Sequence, residues 1–163
     1  MLVTNHVLSG AFVGRAAPGP VSAFALGVAS HFALDAVPHW GDGRTIHEVM
    51  HIAVPDGLLG LTAMAGVTAA TEPGARLRVL AGMAGAAFPD LDKPADRFLG
   101  FSPFPRRWDA FHRAVQNEEA RRMPQEVFVG LTQVAVLAAV AVGVRRAARR
   151  RAVSPPPAAP APR

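Results

Sequence analysis

Histidine and aspartate recur in this chain at spacings that suit metal binding. In the segment SHFALDAVPHW, His31 and Asp35 are four residues apart, so on a helix they lie on the same face. An imidazole and a carboxylate placed this way can reach one ion, or the carboxylate can orient the imidazole. Pro38 predicts the end of that helix, with His39 in the turn that follows. The alternative is one hydrogen-bonded pair at a helix end, with Trp40 beside it.

A second fragment, HEVMH, matches the H-E-x-x-H pattern letter for letter. On one helix the pattern makes His47 and His51 metal ligands and Glu48 a general base, as in zinc peptidases. Matches of this length also arise by chance, so a peptidase is one hypothesis among several. Asp56, a few residues further on, is the other candidate proton acceptor for a hydrolytic site.

Two further fragments carry possible ligands. In PDLDKP, Asp90 and Asp92 are two residues apart just past an apolar segment, and oxygen ligands at this spacing can clasp or bridge divalent ions. The alternative is a capped turn, because Asp and Pro both favour turns. His112 lies in an amphipathic stretch, 108–115, which predicts a short helix along a membrane interface. By itself His112 is typical of a surface histidine.

The composition indicates which elements must position these residues. Of the 163 residues, 50% are hydrophobic and only 18% are charged, against about 25% charged in an average soluble domain. Four stretches lack Asp, Glu, Lys and Arg, namely 16–34, 57–71, 79–89 and 127–144. The last has 18 residues and is followed at once by an arginine cluster, a pattern typical of a membrane-spanning helix. The alternative is a buried helix of a soluble bundle.

Threading these segments predicts an all-α polytopic membrane bundle of about five apolar helices plus a short interfacial helix. We expect residues 1–145 to form the membrane-embedded domain and 146–163 a basic, then Pro/Ala-rich, disordered tail. If each apolar run crosses or half-crosses the bilayer in turn, all six histidines and 11 of the 12 acidic residues (all but Glu72) fall at one end. Ionisable groups beside apolar spans mark functional sites, so the threading predicts one cluster.

The composition also bears on cofactors and partners. With no cysteine, the chain has no thiolate ligand, disulfide or cysteine nucleophile. Imidazole and carboxylate ligands favour a divalent metal, with zinc first and manganese or iron as alternatives. The net charge of +5 suggests a nucleic-acid binder. However, no basic patch is interleaved with aromatics in a fold-forming segment, so we expect the lipid bilayer, and no nucleic acid, as a partner.

These motifs resemble a family. The early TNH, the SHFALDAVPH segment and the later PDLD turn are similar to those of the bacterial membrane-bound metal-dependent hydrolase-like proteins, over about residues 1–112. Those proteins place the PDxD turn before the SHxxxD helix, whereas this chain has the reverse order. The resemblance implies a metal-dependent hydrolase of the bacterial inner membrane. It implies His6, His31, Asp35, Asp90 and Asp92 as ligands, with His39 and Asp56 nearby. Separately, this many ligands could hold two metals, and two-metal sites favour attack of activated water on a phosphoester, such as that of a lipid-linked substrate.

With the ligands suggested by spacing added, the predicted metal site comprises His6, His31, Asp35, His39, His47, His51, Asp90, Asp92 and His112. The predicted catalytic residues are Asp56 and Glu48. The alternative function is a non-enzymatic membrane protein whose histidine/aspartate site is structural or carries a metal.

Overall fold

In the computed structural model, which describes residues 1–41, 44 and 46–153, the chain folds into α-helices joined by short turns. This confirms the all-α prediction. The helices are α1 (Val3–Ala16), α2 (Pro20–Asp35), α3 (Met50–Ala70), α4 (Pro73–Ala87), α5 (Asp92–Leu99), α6 (Arg106–Val115) and α7 (Met123–Val153). Single 3₁₀ turns at Phe88–Leu91 and Ala120–Arg122 precede α5 and α7.

Proline and polar residues account for several helix boundaries. Helix α2 begins at Pro20, and the Ser22 hydroxyl accepts the Gly19 N–H at 3.2 Å, which satisfies a free donor at the start of the helix. Helix α4 likewise begins at a proline, a residue that first turns tolerate. Helix α1 begins before His6, α3 begins well before its apolar run, and α7 continues through the arginine cluster to Val153.

Glycines allow α1, α2 and α4 to pack at very short distance. A Cβ atom placed on Gly10 of α1 or on Gly27 of α2 would lie 2.4 Å from the carbonyl oxygen of Gly82 in α4. A Cβ on Gly85 would lie 2.2 Å from the carbonyl oxygen of Phe24. Small residues that let backbones approach are typical of helix contacts in membranes. Beside these contacts, the buried apolar cluster is formed by Val7, Leu8, Ala11, Ala75, Val79, Met83 and Leu137.

Successive helices alternate in direction, so one end of the bundle collects the ionisable residues. At the opposite end, Arg15 of α1 donates to the Thr71 hydroxyl at 3.3 Å and lies 3.5 Å from the Glu72 carboxylate. Helix α7 runs beside α1, because Asn5 donates to Glu126 at 2.7 Å and Gln133 donates to Ser9 at 2.6 Å. The predicted threading therefore has the correct alternation through α1–α4 and α7.

Within the part of the chain that the structure describes, two stretches of helix are long and apolar enough to cross a membrane: Met50–Ala70, which is α3, and Ala120–Arg150, most of which lies in α7. Only 6% of the most apolar window of each is buried within the protein, so most of their leucine, valine and phenylalanine side chains face outwards. Helices α1, α2 and α4 have 14, 16 and 15 residues, short of the roughly 20 residues needed for a full span.

Candidate metal centre

Six of the nine predicted ligands meet at the end of the bundle where α1, α3 and α7 begin. They form three overlapping groups in which the ligand atoms lie within 4.8 Å of one another. The groups are His6–His31–Asp90, His31–Asp35–His112 and Asp90–Asp92–His112. We refer to these six residues as the cluster. Because they supply imidazole and carboxylate donors from separate elements, the cluster can hold a metal ion.

The His31 imidazole is oriented as metal-bound histidines usually are. Its Nδ1–H donates to the Ala86 carbonyl oxygen at 2.8 Å, so in the neutral ring the lone pair lies on Nε2. That nitrogen lies 3.0 Å from Asp35 Oδ2 and 3.0 Å from His112 Nε2. A backbone carbonyl behind the ring fixes the tautomer of a ligand. The ring is fully buried, so its lone pair is directed only into the cluster.

The His6 imidazole is fully buried, and neither of its nitrogens has a hydrogen-bond partner among the described residues. Its Nε2 lies 3.1 Å from Asp35 Oδ1, but not in hydrogen-bonding geometry. The ring stacks on His31 with 3.9 Å between ring centres. A buried polar group without a partner is costly, and an ion bound at Nε2 would remove that cost. The residues present therefore fit a divalent metal.

Asp35 is the carboxylate at the centre of the cluster. The His112 Nε2–H donates to Asp35 Oδ2 at 3.4 Å, while His31 Nε2 lies 3.0 Å from Oδ2 and His6 Nε2 lies 3.1 Å from Oδ1. The Gln116 side-chain amide also donates to Asp35 Oδ2 at 2.8 Å. Three imidazoles and one amide thus converge on this carboxylate, which must be ionised to bind a metal.

Lys93 provides a cation within the protein for the other carboxylates. Its ammonium group is hydrogen-bonded to Asp90 Oδ1 and lies 3.8 Å from Asp92 Oδ1. Although burial would raise the pKa of Asp90, the positive charge of Lys93 holds it below its ordinary range. The pKa of Lys93, which burial alone would lower, is raised by the same two aspartates. Asp90 Oδ1 is thus shared between the ammonium and the interior of the cluster.

His112 holds a proton where an ion would bind. Burial would lower the pKa of the His112 imidazole, but hydrogen bonds to Asp35 and Asp92 raise it to about 9. At neutral pH the Nε2–H of this imidazolium is shared between Asp35 Oδ2 at 3.4 Å and His31 Nε2 at 3.0 Å. The Nδ1 atom lies 3.4 Å from Asp92 Oδ2. In the metal-free protein this proton offsets the negative charge of the carboxylates.

We therefore expect metal binding to release a proton from His112. Below pH 9 the imidazolium must lose its proton before Nε2 can bind an ion. Release of about one proton per ion is expected at pH 7 to 8, and it should vanish as the pH rises through about 9. Titration calorimetry of Zn²⁺ binding in buffers with different ionisation enthalpies measures the number released. Proton release that does not change between pH 7 and pH 10 would contradict this assignment.

Three of the nine predicted ligands lie outside the cluster. His39 is buried at its edge, with Nε2 3.8 Å from Asp35 Oδ1, but its ring nitrogens contact the Val37 carbonyl oxygen at 2.9 Å and Gln116 Oε1 at 3.0 Å. His47 and His51 are exposed. Helix α3 begins only at Met50, so the prediction that one helical face carries both histidines of HEVMH is wrong.

The two predicted catalytic residues also lie apart from the cluster. Glu48 is exposed in the turn before α3. Asp56 is buried, and its carboxylate accepts the backbone N–H of Val3 at 2.7 Å and that of Thr4 at 3.2 Å. These are free donors of the first turn of α1, so Asp56 caps that helix. Neither residue belongs to the three ligand groups, whereas a proton acceptor for metal-bound water is expected beside them.

Several residues that support the cluster were not predicted from the sequence. Gln116 follows His112 by four residues, a spacing that indicates a shared helical face. Glu126 is buried and accepts hydrogen bonds from the side chain of Asn5 at 2.7 Å and the backbone N–H of Trp40 at 3.1 Å. Its position at the start of a long apolar run was the available signal, since ionisable residues there are seldom without a partner. No comparable pattern indicated Lys93.

The chain was compared with protein families, with curated proteins and with solved structures, and none of the three comparisons found a match.

Proposed function

We propose that this protein is a membrane-bound, metal-dependent hydrolase that acts on a phosphoester of a lipid-linked substrate. The observation that carries the proposal is the convergence of six buried or half-buried histidine and aspartate side chains on one set of facing ligand atoms. The unpartnered His6 ring supports it further, because it is a donor that the protein itself leaves unused. The motif resemblance adds the hydrolase activity and the bacterial inner membrane.

The membrane location is supported by the outward faces of α3 and α7. Exposed apolar residues occur along both helices, among them Leu58 and Leu61 on α3 and Phe128 and Leu131 on α7. Large exposed apolar patches on a water-soluble protein are uncommon. We infer that α1–α4 and α7 form a bundle of five apolar helices in the bilayer, with α6 at its surface. The cluster then lies at the level where α7 enters the bilayer.

The cluster residues divide between ion binding and proton transfer. His31, Asp35 and His112 would hold one ion, with His6 Nε2 facing the same space, and Asp90 would take part in a second. A bound divalent ion supplies a lowered pKa for water, about 7, and polarises a phosphoryl oxygen. We assign proton acceptance to Asp92 rather than Asp56 or Glu48. Its Oδ1 is buried without a hydrogen-bond partner among the described residues, while its side chain is 21% exposed.

The donor set guides the choice of metal. Imidazole with carboxylate and without thiolate suits zinc, manganese or iron, and zinc is placed first. We infer phosphoester hydrolysis from the second ion, because two ions together stabilise the attacking and the leaving oxygen of a phosphoryl group.

The test is metal content and hydrolysis by protein purified in detergent. We expect the wild type to bind zinc, manganese or iron in elemental analysis and to hydrolyse bis(4-nitrophenyl) phosphate in a chelator-sensitive manner. His31→Ala should lower both by at least about 100-fold, since loss of a partner that only orients a ligand already costs about 10–100-fold. His51→Ala is the matched control and should change neither, since His51 is exposed outside the cluster. A wild type that binds no divalent ion would contradict the proposal.

A structural or metal-carrying site is the second candidate, favoured by the depth of the cluster. His6, His31 and Asp35 are fully buried, whereas a catalytic metal needs an open position for water or substrate. Binding of metal without hydrolysis of phosphoesters, together with a lower unfolding temperature in His31→Ala, would support this candidate over the enzyme.

A further inference from the structure

One segment leaves the cluster and returns to it. Residues 91–111, called the arm below, follow Asp90 and end directly before His112. The arm contains α5, a turn and most of α6. Gly100 ends α5 with a φ of 78°, a left-handed conformation that glycine adopts without strain. Because cluster residues adjoin both of its ends, the position of the arm is tied to that of the cluster.

The inner side of the arm is held by aromatic contacts. Phe104 packs edge-on against Phe88 with 5.1 Å between ring centres, and its ring is tilted against that of Trp108 at 5.3 Å. Trp108 in turn contacts Phe32 of α2 at 5.4 Å. Edge-to-face aromatic pairs stabilise by about 0.5–1.5 kcal/mol beyond the area they bury. The arm is therefore a packed part of the fold.

The outer side of the arm combines large exposed apolar residues with arginines. Phe98 is 68% exposed, Leu99 64% and Phe101 58%. Arg97, Arg106 and Arg107 are exposed in the same segment, and the guanidinium carbon of Arg97 lies 5.5 Å from the centre of the Phe98 ring. Apolar side chains beside basic ones are typical of segments that lie in a bilayer interface.

The place of the arm in the fold agrees with that pattern. The cluster, to which the arm is tied, lies at the end of the bundle where α3 and α7 begin, and these contain the two stretches long and apolar enough to cross a membrane. In a bilayer, the arm would be level with the lipid headgroups. Arginines at that level can extend to phosphate while apolar neighbours enter the acyl region.

We propose that the arm is a docking surface for anionic phospholipid headgroups. Phe98, Leu99 and Phe101 enter the bilayer below the phosphates, and Arg97, Arg106 and Arg107 bind the phosphates. The inference rests on the proposed membrane location and not on the metal or on hydrolysis. Its consequence for the site is that the cluster lies next to phosphoryl groups of lipids.

The absence of cysteine from the chain makes a direct test possible, since a single introduced cysteine is the only attachment point for a label. Full-length Phe98→Cys and Asp96→Cys variants, each carrying a nitroxide, are reconstituted in nanodiscs of phosphatidylcholine with or without phosphatidylglycerol. Collision rates are measured with oxygen, which concentrates in the bilayer, and with chromium oxalate, which stays in water. Asp96 is the matched control because it is exposed on the same helix.

We expect the ratio of oxygen to chromium oxalate collisions to be several-fold higher at residue 98 than at residue 96. The ratio at 98 should rise when phosphatidylglycerol is included, and combined Arg97→Gln, Arg106→Gln and Arg107→Gln substitutions should abolish that rise. Equal, water-like ratios at the two positions would overturn the proposal. The proposal would also be overturned if collisions of chromium oxalate with residue 98 fell with rising protein concentration and did not depend on lipid. That result would indicate a second copy of the chain on this surface.

Discussion

Asp35→Asn is expected to lower the affinity for a divalent ion by at least about 100-fold, since loss of a partner that only orients a ligand already costs about 10–100-fold. The substitution keeps the size of the side chain and removes its charge. Asp35 contributes to the most buried of the three ligand groups, and its Oδ2 lies 3.0 Å from His31 Nε2 and 3.4 Å from His112 Nε2. Equilibrium titration of the metal-free protein with Zn²⁺ measures the effect.

The same variant has a second expected result that separates a ligand from a merely structural residue. Hydrogen bonding to Asp35 is the first of the effects that raise the pKa of His112 to about 9, so this pKa should fall in Asp35→Asn. Nuclear magnetic resonance of the histidine ring reports it. Asp96→Asn removes an exposed acid outside the cluster and serves as the control. Unchanged zinc affinity in a folded Asp35→Asn protein would contradict the assignment of Asp35 as a ligand.

Gly82→Ala is expected to destabilise the fold by about 1–3 kcal/mol, the usual cost of overpacking. The added methyl group would lie 2.4 Å from the Gly10 carbonyl oxygen and 2.9 Å from the Gly14 Cα. Both are backbone atoms, so α1 and α4 must move apart for the side chain to fit. Since these helices also carry the cluster residues at their ends, the displacement should weaken metal binding as well.

Gly66→Ala is the matched control, because a Cβ at Gly66 of α3 meets nothing within 4 Å. Replacing an unconstrained helical glycine by alanine generally stabilises by about 0.5–1 kcal/mol. Thermal unfolding in detergent, with chelator present, compares the two variants without a contribution from bound metal. If Gly82→Ala unfolds at the same temperature as Gly66→Ala, the close approach of α1 and α4 is not a determinant of stability.

The sequence alone was enough to predict the helical class and the end of the bundle where histidine and aspartate gather. The physical reason is that uncharged apolar runs must alternate in direction while the ionisable residues at their ends stay together. His31 and Asp35 meet as their four-residue spacing predicts. The same reasoning placed His6 and Asp90 beside them, although each lies far from the other in the chain.

Only the tertiary structure decided which of these residues face each other. The rotation of each helix about its axis and the contacts between helices determine this, and neither is encoded in spacing along the chain. Thus Asp56, at the correct end of α3, caps α1 instead of joining the cluster, and the two histidines of HEVMH remain exposed. Gln116 enters the cluster through a hydrogen bond to Asp35, which is 81 residues away. The close approach of helices at their glycines likewise depends on which helices are neighbours, and the sequence does not give that pairing.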